Sequence, residues 1–301
     1  MRYNNILFIS LLTISLLISC KNNGSKKEVF TPQFSTFKSE SPDKPDTSLK
    51  REISYGLLTP IEASALFYRL NVRNEQSILN PISNSDQYLT SSKTALNLGI
   101  YGVDLAYLKM FNLGQETFNY MLTLRSMSNK LNIPESYLTD PIKKIENDLG
   151  DSDSLMILMD TAYKKIEDHL RQNGRESTAG FMIMGGWVEA MYIATQLVYD
   201  ENDPDPEVVE RIAEQKYILV SILTYMKNYY DDPMIVYYTK KLLYLKKYFD
   251  TFEIYFKKGD LEIDNVKHVL RSSGSEMTIT VKTLNEIRDY ILTLRTEMTA
   301  F

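Results

Sequence analysis

The sequence predicts an all-α protein: a compact antiparallel bundle of about eight to nine helices, with at most one short β-hairpin near the C-terminus. Two observations support this class. Apolar residues recur at three- and four-residue spacing through most of the chain after residue 59, which is typical of amphipathic helices. Prolines, glycines and acidic residues stand where such helices begin and end. Hydrophobic residues make up 44% of the 301 residues, which is enough for a globular core.

The helices carry recognisable end signals. Thr59-Pro60-Ile61-Glu62 is a capping box with proline at the first helical position, so a helix is expected from there to about Leu70. Asn173-Gly174 is a stop signal, and Asp203-Pro204 and Asp232-Pro233 are start signals. Further helices are expected near residues 92–110, 115–131, 140–149, 152–172, 177–198, 206–229, 233–257 and 283–298.

Two of these helices show the clearest apolar seams. The seam of the helix at 233–257 consists of Ile235, Tyr238, Leu242, Leu245, Phe249, Phe252 and Phe256. The seam of the last helix consists of Leu284, Ile287, Ile291, Leu294 and Met298. Such spacing buries one stripe of a helix against its neighbours. Only residues 261–263 and 277–281 look strand-like, as one short hairpin.

The first twenty residues predict export from the cytoplasm. Arg2 gives a positive start, and Ile6 to Ile18 form an apolar run of signal-peptide length, too short for a spanning helix. The run ends in Leu17-Ile18-Ser19-Cys20, which resembles the lipobox of bacterial lipoproteins. The resemblance implies cleavage before Cys20, thioether lipidation of Cys20 and acylation of its new amine. The alternative is a chance cysteine after a leader or an N-terminal anchor helix.

The predicted domains follow from this leader. They are a signal peptide at residues 1–19, the lipidated cysteine and a flexible tether at 20–58, and the helical domain at 59–301. The tether is expected because KNNGSKKEV and SESPDKPDTS contain few large apolar groups that could offset the entropy of ordering.

The whole chain is similar to uncharacterised helical lipoproteins of the Bacteroidota. The similarity rests on the lipobox, on a composition rich in Asn, Lys and Tyr, and on the GGWVEAMY helix. It implies no activity. In this group an acidic stretch after the cysteine often marks export to the cell surface, whereas Lys21 follows Cys20 here. We therefore expect an outer-membrane lipoprotein facing the periplasm, with the bilayer and an envelope protein as partners.

Composition excludes several function classes. The net charge of −5 argues against a protein that coats nucleic acid, so no nucleic-acid partner is predicted. A single cysteine excludes a disulfide framework, and two histidines argue against a zinc site. No nucleophile elbow or glycine-rich phosphate loop occurs, so the sequence predicts no catalytic residue, metal or cofactor.

Two helices carry one charge each. Residues 94–108 contain only Asp104, and residues 178–199 contain only Glu189. Helices that are apolar all round are buried, although a spanning helix is the alternative for 178–199. Rows of small residues predict that another helix approaches each of them closely. The rows are Ala95, Gly99, Gly102 and Ala106 on one helix, and Gly186, Ala190 and Ala194 on the other.

A buried carboxylate needs a partner, which could be a tyrosine hydroxyl, an arginine from elsewhere, a cation or a ligand. Structural hydrogen bonding is one interpretation. The other is a ligand pocket between the two central helices. Its candidate lining is Asp104, Glu189, Tyr101, Tyr107, Trp187 and Tyr192.

Three functions remain open at this point. The first is a binding or scaffold module, which predicts an exposed patch of tyrosine and methionine and copurification with a membrane partner. The second is a small-molecule or glycan receptor that uses the pocket. The third is a carboxylate-dependent hydrolase, which needs Asp104 and Glu189 open to one cleft about 5–10 Å apart.

The helix from Pro233 onward is basic and aromatic. Its lysines are Lys240, Lys241, Lys246, Lys247, Lys257 and Lys258. We interpret this face as solvated, with snorkelling lysines. Contact with anionic headgroups is the alternative, since a tethered protein can reach the bilayer.

Overall fold

The computed structural model describes residues 51–54, 60–147, 152–256, 261–272 and 275–301. The predicted signal peptide, Cys20 and most of the predicted tether lie outside the described residues. The described part of the chain is mostly helical, which confirms the all-α class. Its α-helices are α1 (Pro60–Arg69), α2 (Ser91–Met110), α3 (Gly114–Lys130), α4 (Ser136–Asn147), α5 (Ser152–Gln172), α6 (Glu176–Leu197), α7 (Pro206–Met226), α8 (Pro233–Phe249) and α9 (Val281–Thr299).

Most helices begin and end within a few residues of their predicted bounds. α4 begins four residues before its predicted start, because its first turn forms ahead of Pro141 and the helix includes this proline. α7 begins after the second of two Asp-Pro pairs. The Asp205 side chain accepts hydrogen bonds from the N–H groups of Glu207 and Val208, so Asp205 rather than Asp203 is the cap.

α8 ends earlier than the sequence predicts. The helix stops at Phe249, and the chain turns through residues 250–253 into a strand. The Thr251 hydroxyl donates to the Tyr248 carbonyl and helps to close the turn. Phe252 is nevertheless buried and reaches the core from the turn rather than from the helix. Phe256, the last residue of the predicted seam, lies in the strand after the turn and is partly buried.

The described residues contain five short strands in two antiparallel sheets, more than the one hairpin expected. The strands are β1 (Arg51–Ser54), β2 (Ile254–Phe256), β3 (Glu262–Asp264), β4 (Val269–Ser272) and β5 (Ser275–Met277). The first sheet has the order β1-β4-β3, and the second pairs β2 with β5. β1 comes from the predicted tether. The predicted strand at 277–281 ends at Met277, because the Thr280 hydroxyl caps α9 by accepting from the Thr283 N–H.

α2 and α6 form the centre of the fold. Almost every side chain of both helices between their first and last turns is buried. Around them pack α1, α3, α5, α7 and α9. Within the described residues, no helix combines the length and apolar character needed to cross a membrane. α6 is buried because other helices pack around it.

Glycines let the two central helices touch backbone to backbone. A Cβ placed on Gly99 would lie 1.9 Å from the Met182 carbonyl oxygen, and a Cβ on Gly185 would lie 1.9 Å from that of Leu96. No side chain fits at either position. Gly99 belongs to the row predicted for α2, whereas the glycine of α6 that requires the closest approach is Gly185, one residue before the predicted row that begins at Gly186. The close approach also brings the two central acids together.

Candidate functional site

The two central acids meet inside the α2–α6 contact. Asp104 lies on α2, Glu189 lies on α6, and each residue is 0% exposed. Their carboxyl groups lie within hydrogen-bonding reach of each other. Two carboxylates cannot both be charged at such a distance without strong repulsion, so the pair requires a proton, a cation or both.

Arg295 supplies the cation from α9. Its Nε donates to Glu189 Oε2 at 2.9 Å, and one terminal nitrogen donates to Oε1 at 3.1 Å, which makes a two-pronged ion pair. The same terminal nitrogen also donates to the Ile78 carbonyl at 3.3 Å, and the guanidinium lies 4.7 Å from the centre of the Tyr192 ring. Burial lowers the pKa of Arg295, but attraction to Glu189 outweighs that cost and holds the pKa above its ordinary value.

Asp104 supplies the proton. Its Oδ2 accepts a hydrogen bond from the Asn80 N–H at 3.1 Å, and its Oδ1 has no donor in the structure. Burial raises the pKa of Asp104 well above its ordinary value, the negative Glu189 adds to the rise, and Arg295 counteracts only part of it. These surroundings favour the protonated form of Asp104, whose carboxyl lies within hydrogen-bonding reach of Glu189, while Arg295 neutralises the charge of Glu189. We call these three side chains the acid–arginine cluster.

Three buried tyrosines hold the segment before α2 over this cluster. Tyr101 donates to the Pro81 carbonyl at 2.7 Å, Tyr107 to the Arg73 carbonyl at 2.6 Å, and Tyr120 to the Asn80 carbonyl at 2.9 Å. Burial raises the pKa of all three phenols, so they remain protonated donors. Tyr101 and Tyr107 therefore satisfy backbone groups instead of facing a ligand.

Asn80 connects the segment to the rest of the interior. Its Nδ2 donates to the Tyr88 hydroxyl at 3.0 Å and to Asn97 Oδ1 at 3.1 Å, and its Oδ1 accepts from Asn84 at 3.0 Å. With its N–H on Asp104 and its carbonyl on Tyr120, every polar group of Asn80 has a partner. Satisfied buried networks of this kind rigidify the interior.

The structure does not bring all six predicted residues together. Trp187 is fully buried, and its Nε1 donates to Gln215 Oε1 on α7 at 3.1 Å, away from the acids. Residues two apart on a helix point in nearly opposite directions, so Trp187 cannot share a face with Glu189. Tyr192, three residues after Glu189, does share that face and packs on Arg295.

Sequence reasoning missed Arg295 and Asn80. A signal for Arg295 existed: it lies four residues after Ile291 and next to Leu294, so it flanks the apolar seam of α9. No comparable signal marks Asn80, which lies in a polar stretch and acts partly through its backbone.

The arrangement is built for internal support. Both acids are closed to solvent, whereas a glycosidase-like pair must face a cleft that admits substrate and water. A cavity of about 30 Å³ does lie between α2, α3, α5 and α6, but the acids do not line it. It is lined by Leu98, Gly102, Leu124, Ser128, Leu138, Met159, Tyr163, Ile166 and Met182. Such a volume holds about two waters and is too small for a sugar.

The outer face of α8 offers a different arrangement. Tyr237, Lys240, Tyr244 and Lys247 follow one another at spacings of three, four and three residues and are all exposed, so they form one line along the helix. We call these four residues the tyrosine–lysine stripe. Leu243 lies beside them and is 46% exposed.

The described residues contain no group of three or more His, Cys, Asp or Glu side chains that could hold a metal ion. Comparisons of the chain with protein-family models, with curated proteins and with solved structures found no match.

Proposed function

We propose that this chain is a lipid-anchored module of the bacterial cell envelope that binds or scaffolds a partner, at the outer membrane facing the periplasm. The observation that carries the proposal is the Leu17-Ile18-Ser19-Cys20 sequence at the end of an apolar leader. Thioether and amide-linked acyl chains on Cys20 would hold the protein to a bilayer, because each buried CH₂ contributes about 0.8 kcal/mol.

Binding, rather than catalysis, is favoured by where the polar groups lie. The carboxylates that a hydrolase would need are closed inside the acid–arginine cluster. Aromatic side chains suited to recognition lie outside: Tyr68 is 77% exposed and Tyr255 is 56% exposed. Tyrosine suits interfaces because it offers a large contact area and a polar tip at a small entropic cost.

Metabolic labelling with palmitate tests the anchor. The full chain should incorporate the label, and its mature form should begin at an acylated Cys20. The Cys20→Ser variant should incorporate none, while the control Ser19→Ala, which keeps a small residue before the cleavage site, should label normally. An intact, unmodified N-terminus found by mass spectrometry would rule the anchor out.

Site-specific crosslinking in intact envelopes tests the binding role. A photoreactive residue at Tyr68, which is 77% exposed on α1, should capture an envelope protein. The matched control is the same residue at Leu122, which is 39% exposed on α3. Equal background at both positions would remove the support for a protein partner.

A further inference from the structure

We infer that the tyrosine–lysine stripe of α8 binds anionic lipid headgroups, so that the domain lies with this helix along the membrane surface. The inference rests on the proposed function, because the anchor is what brings the domain to a bilayer. It adds a second contact, made by the folded domain itself.

The charge on α8 is the first support. Its 17 residues contain four lysines and no acidic residue, whereas the chain as a whole carries −5. Lys241 pairs with Glu297 at 2.7 Å, and Lys246 pairs with Asp250 at 2.6 Å. Lys240 and Lys247 are exposed and have no acidic partner among the described residues. The positive charge available to a binding partner therefore lies on the stripe.

The aromatic rings are the second support. The Lys247 amine lies 5.1 Å from the centre of the Tyr244 ring, and Tyr290 of α9 stacks on the same ring at 5.2 Å. Lys241 lies 4.8 Å over the Tyr237 ring. These contacts hold the rings in place before binding, which reduces the entropy lost on association. Tyrosine rings settle at headgroup depth, and lysine stems let the amines reach phosphate oxygens.

The chain's own N-terminal segment is a poor occupant of this surface. Residues 21–50 contain six lysines and four acidic residues, so the segment is net positive and repels α8. An acidic protein surface is the remaining alternative. A line of alternating exposed tyrosine and lysine side chains suits a layer of headgroups, because the rings can lie at headgroup depth while the amines reach phosphate oxygens.

Fluorescence quenching on vesicles tests the inference. One preparation of the full chain carries a dye on the cysteine of Tyr244→Cys. The control preparation carries the same dye on the cysteine of Leu122→Cys. Because Cys20 is acylated, the introduced cysteine is the only free thiol that the dye can label. Two kinds of vesicle carry a quencher attached to a lipid headgroup. The neutral vesicles consist of phosphatidylcholine alone, and the anionic vesicles also contain about one third phosphatidylglycerol. Quenching should be stronger at 244 than at 122, only in the anionic vesicles, and should weaken in high salt.

Charge removal sharpens the test. The double substitution Lys240→Gln with Lys247→Gln should lower the equilibrium constant for binding of the stripe to the anionic membrane about 30-fold. This corresponds to about fivefold for each lysine near an anionic surface. The matched control, Lys130→Gln with Lys143→Gln, removes the same charge from α3 and α4 and should change nothing. Equal quenching at the two dye positions, or equal quenching in neutral vesicles, would overturn the inference.

Failure of the anchor gives a different result. An unacylated chain does not float with neutral vesicles. When it carries Cys20→Ser, so that the introduced cysteine is again the only thiol, the difference in quenching between positions 244 and 122 in anionic vesicles still decides the role of the stripe. Crosslinking of Tyr244 to an envelope protein, with no quenching on anionic vesicles, would assign the stripe to a protein partner and leave the proposed function standing.

Discussion

The α2–α6 contact and the outer face of α8 use the same residue types for opposite purposes. Inside, tyrosine hydroxyls donate to backbone carbonyls, and the charges of Glu189 and Arg295 cancel. Outside, the rings of Tyr237 and Tyr244 are half exposed, and Lys247 lies over the Tyr244 ring with no acidic partner among the described residues. Burial therefore decides whether a tyrosine and a charge support the fold or remain available to a partner. The interior should be sensitive to single substitutions, and the stripe should tolerate them.

The largest expected effect is that of removing the cation from the interior. Arg295→Met leaves Glu189 charged and buried without its partner, so the free energy of unfolding should fall by about 3–5 kcal/mol. Urea denaturation measures this loss. Arg288→Met, seven residues earlier on α9, is the matched control: its partners Glu201 and Asp289 are solvent-accessible, so its loss should be at most about 1 kcal/mol. Similar losses for the two variants would contradict the structural role of the cluster.

The next effect concerns the helix–helix contact itself. Gly99→Ala places a methyl group against the Met182 backbone, which cannot move aside, so stability should fall by about 3 kcal/mol. Gly186→Ala is the control on the facing helix, where the new Cβ meets the Gly99 carbonyl oxygen at 3.4 Å. This substitution should change the free energy of unfolding by less than about 1 kcal/mol. A tolerated Gly99→Ala would mean that the central helices lie farther apart.

The proton on Asp104 predicts a pH dependence. Its folded-state pKa lies above the unfolded value of about 3.9, so its contribution to stability is complete below that pH and is lost as the pH rises through the folded pKa. Within that window the loss is about 1.4 kcal/mol per pH unit. Asp104→Asn cannot titrate and keeps a donor for Glu189. The stability of the wild type relative to this variant should therefore decrease as the pH rises above about 3.9 towards the folded pKa in urea titrations; parallel curves would contradict the shared proton.

The smallest effect compares two phenols. Tyr120→Phe leaves the Asn80 carbonyl without its donor and should cost about 1–2 kcal/mol. Tyr163→Phe is the matched substitution at a buried hydroxyl that has no partner, beside the cavity. The midpoint temperature of thermal unfolding of the Tyr163→Phe variant should be unchanged or higher than that of the wild type. If both substitutions cost the same, hydrogen bonding would not distinguish the two positions.

Local patterns in the sequence were sufficient to predict the helices and the central pair. A single charge in each of two apolar helices, with glycines at helical spacing, predicts their burial and close contact, and the structure confirms both. The proximity of Asp104 and Glu189 follows from that contact.

The partners of the acids could not be predicted in the same way. Arg295 is 106 residues from Glu189, and only the tertiary fold brings α9 against α6. The acceptors of Tyr101 and Tyr107 are backbone carbonyls of an irregular segment, which no side-chain pattern encodes. The extra strands were missed for a related reason: β1 has four residues and is defined by its pairing with β4, over 200 residues away.

The pairing of β1 with β4 also determines where a mechanical load would enter the fold. All four residues of β1, Arg51 to Ser54, pair with β4, and β4 pairs in turn with β3. A pull on the N-terminal side of the chain therefore acts first on this small ladder. Once β1 has separated from β4, the load passes along the chain to α1, which packs on α2. The ladder is therefore the first structure that must break before tension at the N-terminus reaches the central helices and the buried charges.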